Sequence, residues 1–261
     1  MTARLPLCLI LVACALSGCA AGPDPRDPLE PFNRKVYTFN DKVDKAVLKP
    51  AAKAYVAVVP ELARRGVTNF FNNLGVIITT LNDALQLKGP KVPVDFARFT
   101  TNIVFGLGGL IDVASELKIE NRNEDFGQTL GYWGVGSGPY LVLPFFGPSD
   151  TRDAPALVVD FFSSPLYYWN PDPAVRWSMF GLDVVDTRAN LLGAEKFLDT
   201  AAFDRYSFLR DSYLQRRQYL IYDGNPPAAK TEQGKTLKEL EEEDMSDEPV
   251  PLRAAPRIKK P

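Results

Sequence analysis

The chain contains no histidine. That excludes Ser-His-Asp and Cys-His catalysis and every His-ligated metal site. Its three cysteines, Cys8, Cys14 and Cys19, all lie at the N-terminal end, so residues 20–261 hold no thiol for a disulfide or a nucleophile. Lysine and arginine number 30 against 32 acidic residues, a formal net charge of −2. Without a basic excess to neutralise phosphates, nucleic acid is excluded as a partner. No apolar run approaches the roughly 20 residues that a spanning helix needs. Nor is there a series of short alternating strands, which argues against a β-barrel or sandwich.

What is present begins at the N-terminus. Arg4 is followed by the mostly apolar stretch Leu5 to Ala15 and then by Leu16-Ser17-Gly18-Cys19. This reads as an export signal, residues 1–18, ending in a bacterial lipobox. Small residues fit the protease cleft, and the Cys19 thiol at the new N-terminus accepts diacylglycerol. Each buried methylene contributes about 0.8 kcal/mol, and several acyl chains make a durable anchor. Residue 20 is alanine rather than the aspartate that holds many Gram-negative lipoproteins in the inner membrane, which favours the outer membrane.

Residues 19–31 carry prolines at 23, 25, 28 and 31 and read as the lipidated N-terminus followed by an extended spacer. Residues 224–261 include the acidic run Glu239 to Asp244 and few large apolar side chains, the composition of a disordered charged tail. Between them, residues 32–223 form one domain. Phe32, Val36, Phe39, Val43 and Val47 share a helical face, with Pro50 as the expected end. Further helices are expected over Glu61–Leu87, with a possible break at Gly75, and over Val94–Phe105, Asp183–Ala202 and Asp204–Tyr222. The fold class is mainly α, a single bundle of amphipathic helices.

Residues 131–148 break this pattern. Gly134, Gly136, Gly138, Pro139 and Pro144 interrupt any helix, while Tyr140, Leu143 and Phe145 are too apolar for an ordinary exposed loop. Two resolutions stay open: a buried connector, or a loop that faces lipid with its backbone satisfied inside the protein. Gly134-Val135-Gly136-Ser137-Gly138 is not a phosphate loop, because no strand precedes it and Pro139 follows it. The glycine-rich stretch Phe105 to Asp112 has a similar character. Phe161, Phe162, Tyr167, Tyr168 and Trp169 are either a packed aromatic core or an interfacial belt. Glu124 and Asp125 are the best pair of carboxylates for an enzymatic reading, but adjacent loop acids are usually solvated.

Several blocks in order are similar to the VacJ/MlaA family of outer-membrane lipoproteins. They are Asp27 to Arg34, Tyr37-Thr38-Phe39-Asn40, Arg98-Phe99 to Asn102, Gly106 to Asp112, Asp125 to Gly131, Gly134 to Tyr140 with Leu143-Pro144-Phe145, Arg152-Asp153, and Asp186 to Leu192. The resemblance implies a ring-like helical body embedded in the inner leaflet of the outer membrane. It also implies an amphipathic channel that removes phospholipid from the outer leaflet and passes it to a periplasmic carrier, in association with a trimeric porin. It implies no catalytic residue, cofactor or metal. Gly134, Gly136, Gly138, Pro139, Tyr140, Leu143, Pro144 and Phe145 become the channel loop, an apolar hairpin. Phe39 and Asn40 fall in an N-terminal helix motif thought to control the channel, and Arg176 becomes a contact for a lipid phosphate or the rim. The alternative is a structural, porin-associated lipoprotein without transport.

Overall fold

The structure, a computed structural model, describes residues 24–168, 172–195 and 203–227. Cys19, Trp169 and the tail from residue 228 lie outside these residues.

The expected spacer ends earlier than its prolines suggest. Residues 24–29 form turns, and Asp27 is wholly buried. Helix α1 (Glu30–Val43) then starts with Pro31 in its first turn, where a missing N–H costs nothing. Pro50 does not end this helix. A π-turn over Asp44–Leu48 carries the chain into α2 (Lys49–Val58). The wider turn accommodates the pyrrolidine ring, which would otherwise press on the Ala46 carbonyl. The stop comes at Val59, which is extended as expected of a residue before proline.

Helix α3 (Glu61–Leu85) runs through Gly75 unbroken. One mid-helix glycine costs about 1 kcal/mol, less than the packing of α3 on its neighbours supplies. Those neighbours are α4 (Val92–Val104), α6 (Phe126–Tyr132) and α9 (Pro173–Asn190). A short α5 (Val113–Glu116) follows the glycine-rich stretch. Helix α9 starts well before the expected Asp183, because Asp172 caps it by accepting from Ala174 N–H and Pro173 occupies its first turn. It ends at Leu191, inside the single helix expected over 183–202, whose residues 196–202 lie outside those described. Helices α7 (Asp153–Ser163) and α8 (Pro165–Tyr168) precede it, and α10 (Arg205–Ile221) follows, capped by Asp204.

The 131–148 segment resolves into a loop and a hairpin. β1 (Tyr140–Leu143) pairs antiparallel with β2 (Gly147–Asp150), with Tyr140 opposite Asp150 and Val142 opposite Pro148. The buried-connector reading holds for part of the segment. Tyr140 and Val142 are core, packed with Tyr206, Val36 and Tyr213. Phe145 and Phe146 at the tip are more than 70 % exposed.

The distribution of polarity is inverted relative to a water-soluble bundle. Buried at α3, α4 and α6 are Asn82, Asp83, Gln86, Asp95, Arg98, Asn102, Gln128 and Thr129. Thr129 Oγ1 donates to Asn82 Oδ1 at 2.7 Å, and Arg98 donates to Asp112 Oδ2 and the Ile119 carbonyl, both at 2.7 Å. Outside the same helices, Phe96, Val104, Phe105 and Leu107 are mostly exposed. Ile77, Leu81, Ala84, Phe96 and Phe99 line one apolar surface groove between α3 and α4, and grouped apolar surface marks a partner or a membrane. No described helix is long and apolar enough to cross a membrane.

Within this polar core, Asp83 and Asp95 share one guanidinium. Arg122 Nη2 lies 3.1 Å from Asp83 Oδ2 and 2.6 Å from Asp95 Oδ1. Burial, aided by the neighbouring carboxylates of Asp95 and Glu124, pushes Asp83 up to about 7 against the pull of Arg122. A folded pKa above the usual 3.8 means that the folded state holds this proton more tightly. Stability from the site is full below 3.8 and is lost as pH rises toward 7. Asp83→Asn is therefore expected to flatten the decline in unfolding midpoint between pH 5 and 8, measured in detergent. An unchanged slope would count against a proton held on Asp83.

Candidate functional site

The hairpin is held from α1 by two asparagines seven residues apart, which places both on one helix face. Asn33 is fully buried. Its Nδ2 donates to the Tyr140 carbonyl at 3.0 Å, and its Oδ1 accepts from Val142 N–H at 2.9 Å. Two turns further along α1, Asn40 Nδ2 donates to the Leu143 carbonyl at 2.9 Å, and its Oδ1 accepts from Phe145 N–H at 2.9 Å. Each side-chain amide thus offers β1 the donor and acceptor that a neighbouring strand would offer. The β1 edge away from β2 is covered without a third strand. Because Val142 N–H points to Asn33, Pro148 opposite it breaks no ladder bond.

The ring of Phe39 meets that of Phe145 edge-on at 5.3 Å. Phe145 sits at φ 66°, an uncommon conformation for an aromatic residue. The tip is thus strained, gripped by Asn40 and Phe39, and otherwise open.

Beneath the hairpin lies a cavity of about 370 Å³, walled by Tyr37, Tyr140, Val142, Leu191 and Leu209. Charged residues line its edge. Arg188 grips Asp44 through Nε and Nη2 at 2.6 and 2.9 Å and reaches Glu195 at 3.0 Å. Lys49 holds the other oxygen of Glu195 at 2.7 Å. Hydrogen bonds from Lys49 and Arg188 outweigh burial and lower Glu195 to about 2. The π-turn that passes Pro50 begins at Asp44, so it also sets this carboxylate against Arg188 on α9. Asp186, one turn before Asn190, accepts from Tyr55 and Thr68 and ties α2 and α3 to the same helix.

The glycines of the preceding loop differ. Gly134 and Gly136 are exposed with open space around them. Gly138 has φ 65°, and a Cβ there would meet Thr151 Oγ1 at 2.2 Å. Pro139 and Pro144 are exposed. Tyr140 belongs to the core, and Leu143 is half-buried under Asn40.

Arg176 is placed elsewhere. Its guanidinium lies 4.9 Å from the Tyr167 ring centroid, and Nη1 donates to the Tyr167 carbonyl at 3.3 Å. It is absent from the cavity lining and belongs to an aromatic cluster in which Phe161, Phe180 and Trp177 stack. Sequence reasoning missed Asn33, Asp44, Arg188 and Glu195. The seven-residue spacing of Asn33 and Asn40 was the one local signal available; the others become neighbours only on folding.

The chain is similar to known proteins. The family model for the MlaA lipoprotein matches residues 25–220. The intermembrane phospholipid transport system lipoprotein MlaA of Haemophilus influenzae is 37 % identical over 237 residues, covering 86 % of this chain and 93 % of its own. Its Escherichia coli K12 counterpart is 37 % identical over 221 residues, covering 82 % of this chain and 86 % of its own. A structure solved to explain maintenance of bacterial outer membrane lipid asymmetry aligns with a TM-score of 0.65 at 35 % identity. The alignment covers 75 % of this chain and 98 % of that one. With the clamped hairpin, the inverted core and these matches in agreement, the chain belongs to the MlaA lipoprotein family.

Proposed function

We propose that this chain is lipidated at Cys19 and lies in the periplasmic leaflet of the outer membrane. There it provides a path by which phospholipid leaves the outer leaflet for a periplasmic carrier, with a trimeric porin as its membrane partner. The observation that carries the reading is the cavity beneath the hairpin, with apolar walls and paired charges at its edge. A phospholipid needs both: its headgroup requires polar partners along the way, and its chains do not. No bond is made or broken, so the work is passage and gating. The exposed apolar faces of α3 and α4 suit the surrounding hydrocarbon, while their polar partners stay inside.

Ala194 lines the cavity at an exposed position, so a larger side chain there fills the path without disturbing the core. Ala194→Trp is expected to yield a folded, membrane-located protein that lets phospholipid accumulate in the outer leaflet. Sensitivity of cells to detergent and to added phospholipase measures this. If both stayed at the parental level while porin association persisted, the porin-associated scaffold would be the better reading.

A further inference from the structure

The first described residues are bonded directly to the hairpin and to the helices around it. The Arg26 carbonyl accepts from Tyr140 N–H at 2.8 Å, at the root of β1. Asp27, with no exposed surface, accepts from Asn33 Nδ2 at 2.8 Å and from the Tyr206 hydroxyl. Arg210 on α10 reaches Asp24 at 3.0 Å and Asp27 at 3.5 Å. One buried carboxylate therefore joins the N-terminal segment, α1 and α10 at the point where the hairpin begins.

Chain length converts this joint into a distance. Seven peptide steps separate Cys19 from Arg26, which span at most about 25 Å. From Tyr140 to Leu143 the strand rises roughly 10 Å, and the turn beyond it carries Phe145 and Phe146, a reach that fits within the roughly 15 Å hydrocarbon depth of one leaflet. Polarity follows the same axis. The root carries Asp24, Asp27, Asp150 and Arg210, and the tip carries exposed Phe145 and Phe146 beside half-exposed Phe39.

We propose that the short linker after the lipidated cysteine is a ruler. By pairing Arg26 with Tyr140 and seating Asp27 between Asn33 and Tyr206, it holds the hairpin root at headgroup level and its Phe145–Phe146 tip in leaflet hydrocarbon. The acyl anchor then sets the depth of the gate as well as the address of the protein. This inference rests on the lipid-path reading and on lipidation of Cys19.

The test uses the full-length, lipidated chain. Phe146→Cys provides a thiol for a nitroxide, since Cys8 and Cys14 precede the acylated residue. In bilayers the label is expected to be far more accessible to oxygen than to a water-soluble nickel chelate. Inserting about twelve Gly and Ser residues between Gly22 and Pro23 is expected to shift that ratio toward water and to raise outer-leaflet phospholipid severalfold, with the unfolding midpoint unchanged. A three-residue insertion, with a smaller shift expected, serves if the longer variant is poorly exported. Parental label depth and phospholipid in both insertions, with Asn40→Ala still raising phospholipid, would overturn the ruler alone. If Ala194→Trp, which fills the path itself, also had no effect, the lipid-path reading would fall with it.

Discussion

Asn40→Ala is expected to release the hairpin tip and uncouple the gate from α1. The Asn40 amide makes two hydrogen bonds to the backbone at either side of Pro144, and alanine leaves both the Leu143 carbonyl and Phe145 N–H without these partners. At about 0.5–1.5 kcal/mol each, the two hydrogen bonds together contribute about 1–3 kcal/mol. Losing them tilts the hairpin between its clamped and free arrangements by roughly fivefold to a hundredfold. Phe145 adds to the effect, since its left-handed backbone persists only while its surroundings impose it. Global stability should change little, because Asn33 still holds Tyr140 and Val142 and the Tyr140–Tyr206 contact is untouched.

The measurable outcome is outer-leaflet phospholipid well above the parental level, with the unfolding midpoint nearly constant. Asn40→Asp sharpens the test. Aspartate still accepts from Phe145 N–H but sets a carboxylate against the Leu143 carbonyl, so it should behave like alanine. If Asn40→Asp matched the parent while Asn40→Ala did not, only the Phe145 bond would matter. If both variants matched the parent, the clamp would have no part in gating.

The largest stability loss is expected from Arg217→Met. Arg217 on α10 holds Asp125 through Nη1 at 2.5 Å and Nη2 at 2.9 Å, and its Nε lies 2.6 Å from Asp153 Oδ2. Asp125 also caps α6 by accepting from Gln128 N–H, and Asp153 accepts from the Tyr213 hydroxyl. One guanidinium therefore closes α6, α7 and α10 around two carboxylates. Room for it exists because residue 127 is glycine: a Cβ there would meet Asp153 Oδ1 at 2.4 Å and Arg217 Nη2 at 2.7 Å.

Removing one member of a buried ionic group costs about 3–5 kcal/mol, because the partners remain charged and unpaired. For a body of this size that lowers Tm by roughly 6 to 20 °C. Lysine should not rescue, since it cannot bridge both carboxylates in a planar fork. The pH signature is opposite to that of Asp83. Burial alone would raise Asp125, but the hydrogen bonds and charge of Arg217 hold it below its ordinary 3.8. The stability it contributes is present above 3.8 and is lost as pH falls below it. Arg217→Met should remove that acid-side loss, and thermal unfolding in detergent between pH 3 and 7 reads it. A variant within 2 °C of the parent would show the site to be slack.

How far the molecule was legible in its residues depended on whether a feature was local. Helix faces, proline and glycine boundaries and capping aspartates act within a turn or two. The stretches 61–85, 92–104 and 205–221 were therefore read nearly to their ends. Features that compete with a local rule were misread. Pro50 is an ordinary helix stop until a π-turn forms before it, and Gly75 is an ordinary break until α4, α6 and α9 pack around its helix. The prolines of residues 23–31 resemble a free spacer until Asp27 finds Asn33 and Tyr206.

By itself, the sequence determined that this is a mainly helical body with no histidine chemistry. Its ordered blocks also pointed to the right family. Composition and short-range spacing suffice for those conclusions, because they depend on which groups exist and on the helical period. Only the tertiary structure decided which groups meet. It set Asn33 and Asn40 against β1, brought Arg188 to Asp44 across 144 residues, and laid Arg176 over the Tyr167 ring. Burying polar side chains inside while apolar ones face outward reverses the rule by which a core is read from sequence. The period of a helix shows that it has two faces, and only its packing partners show which one is turned inward.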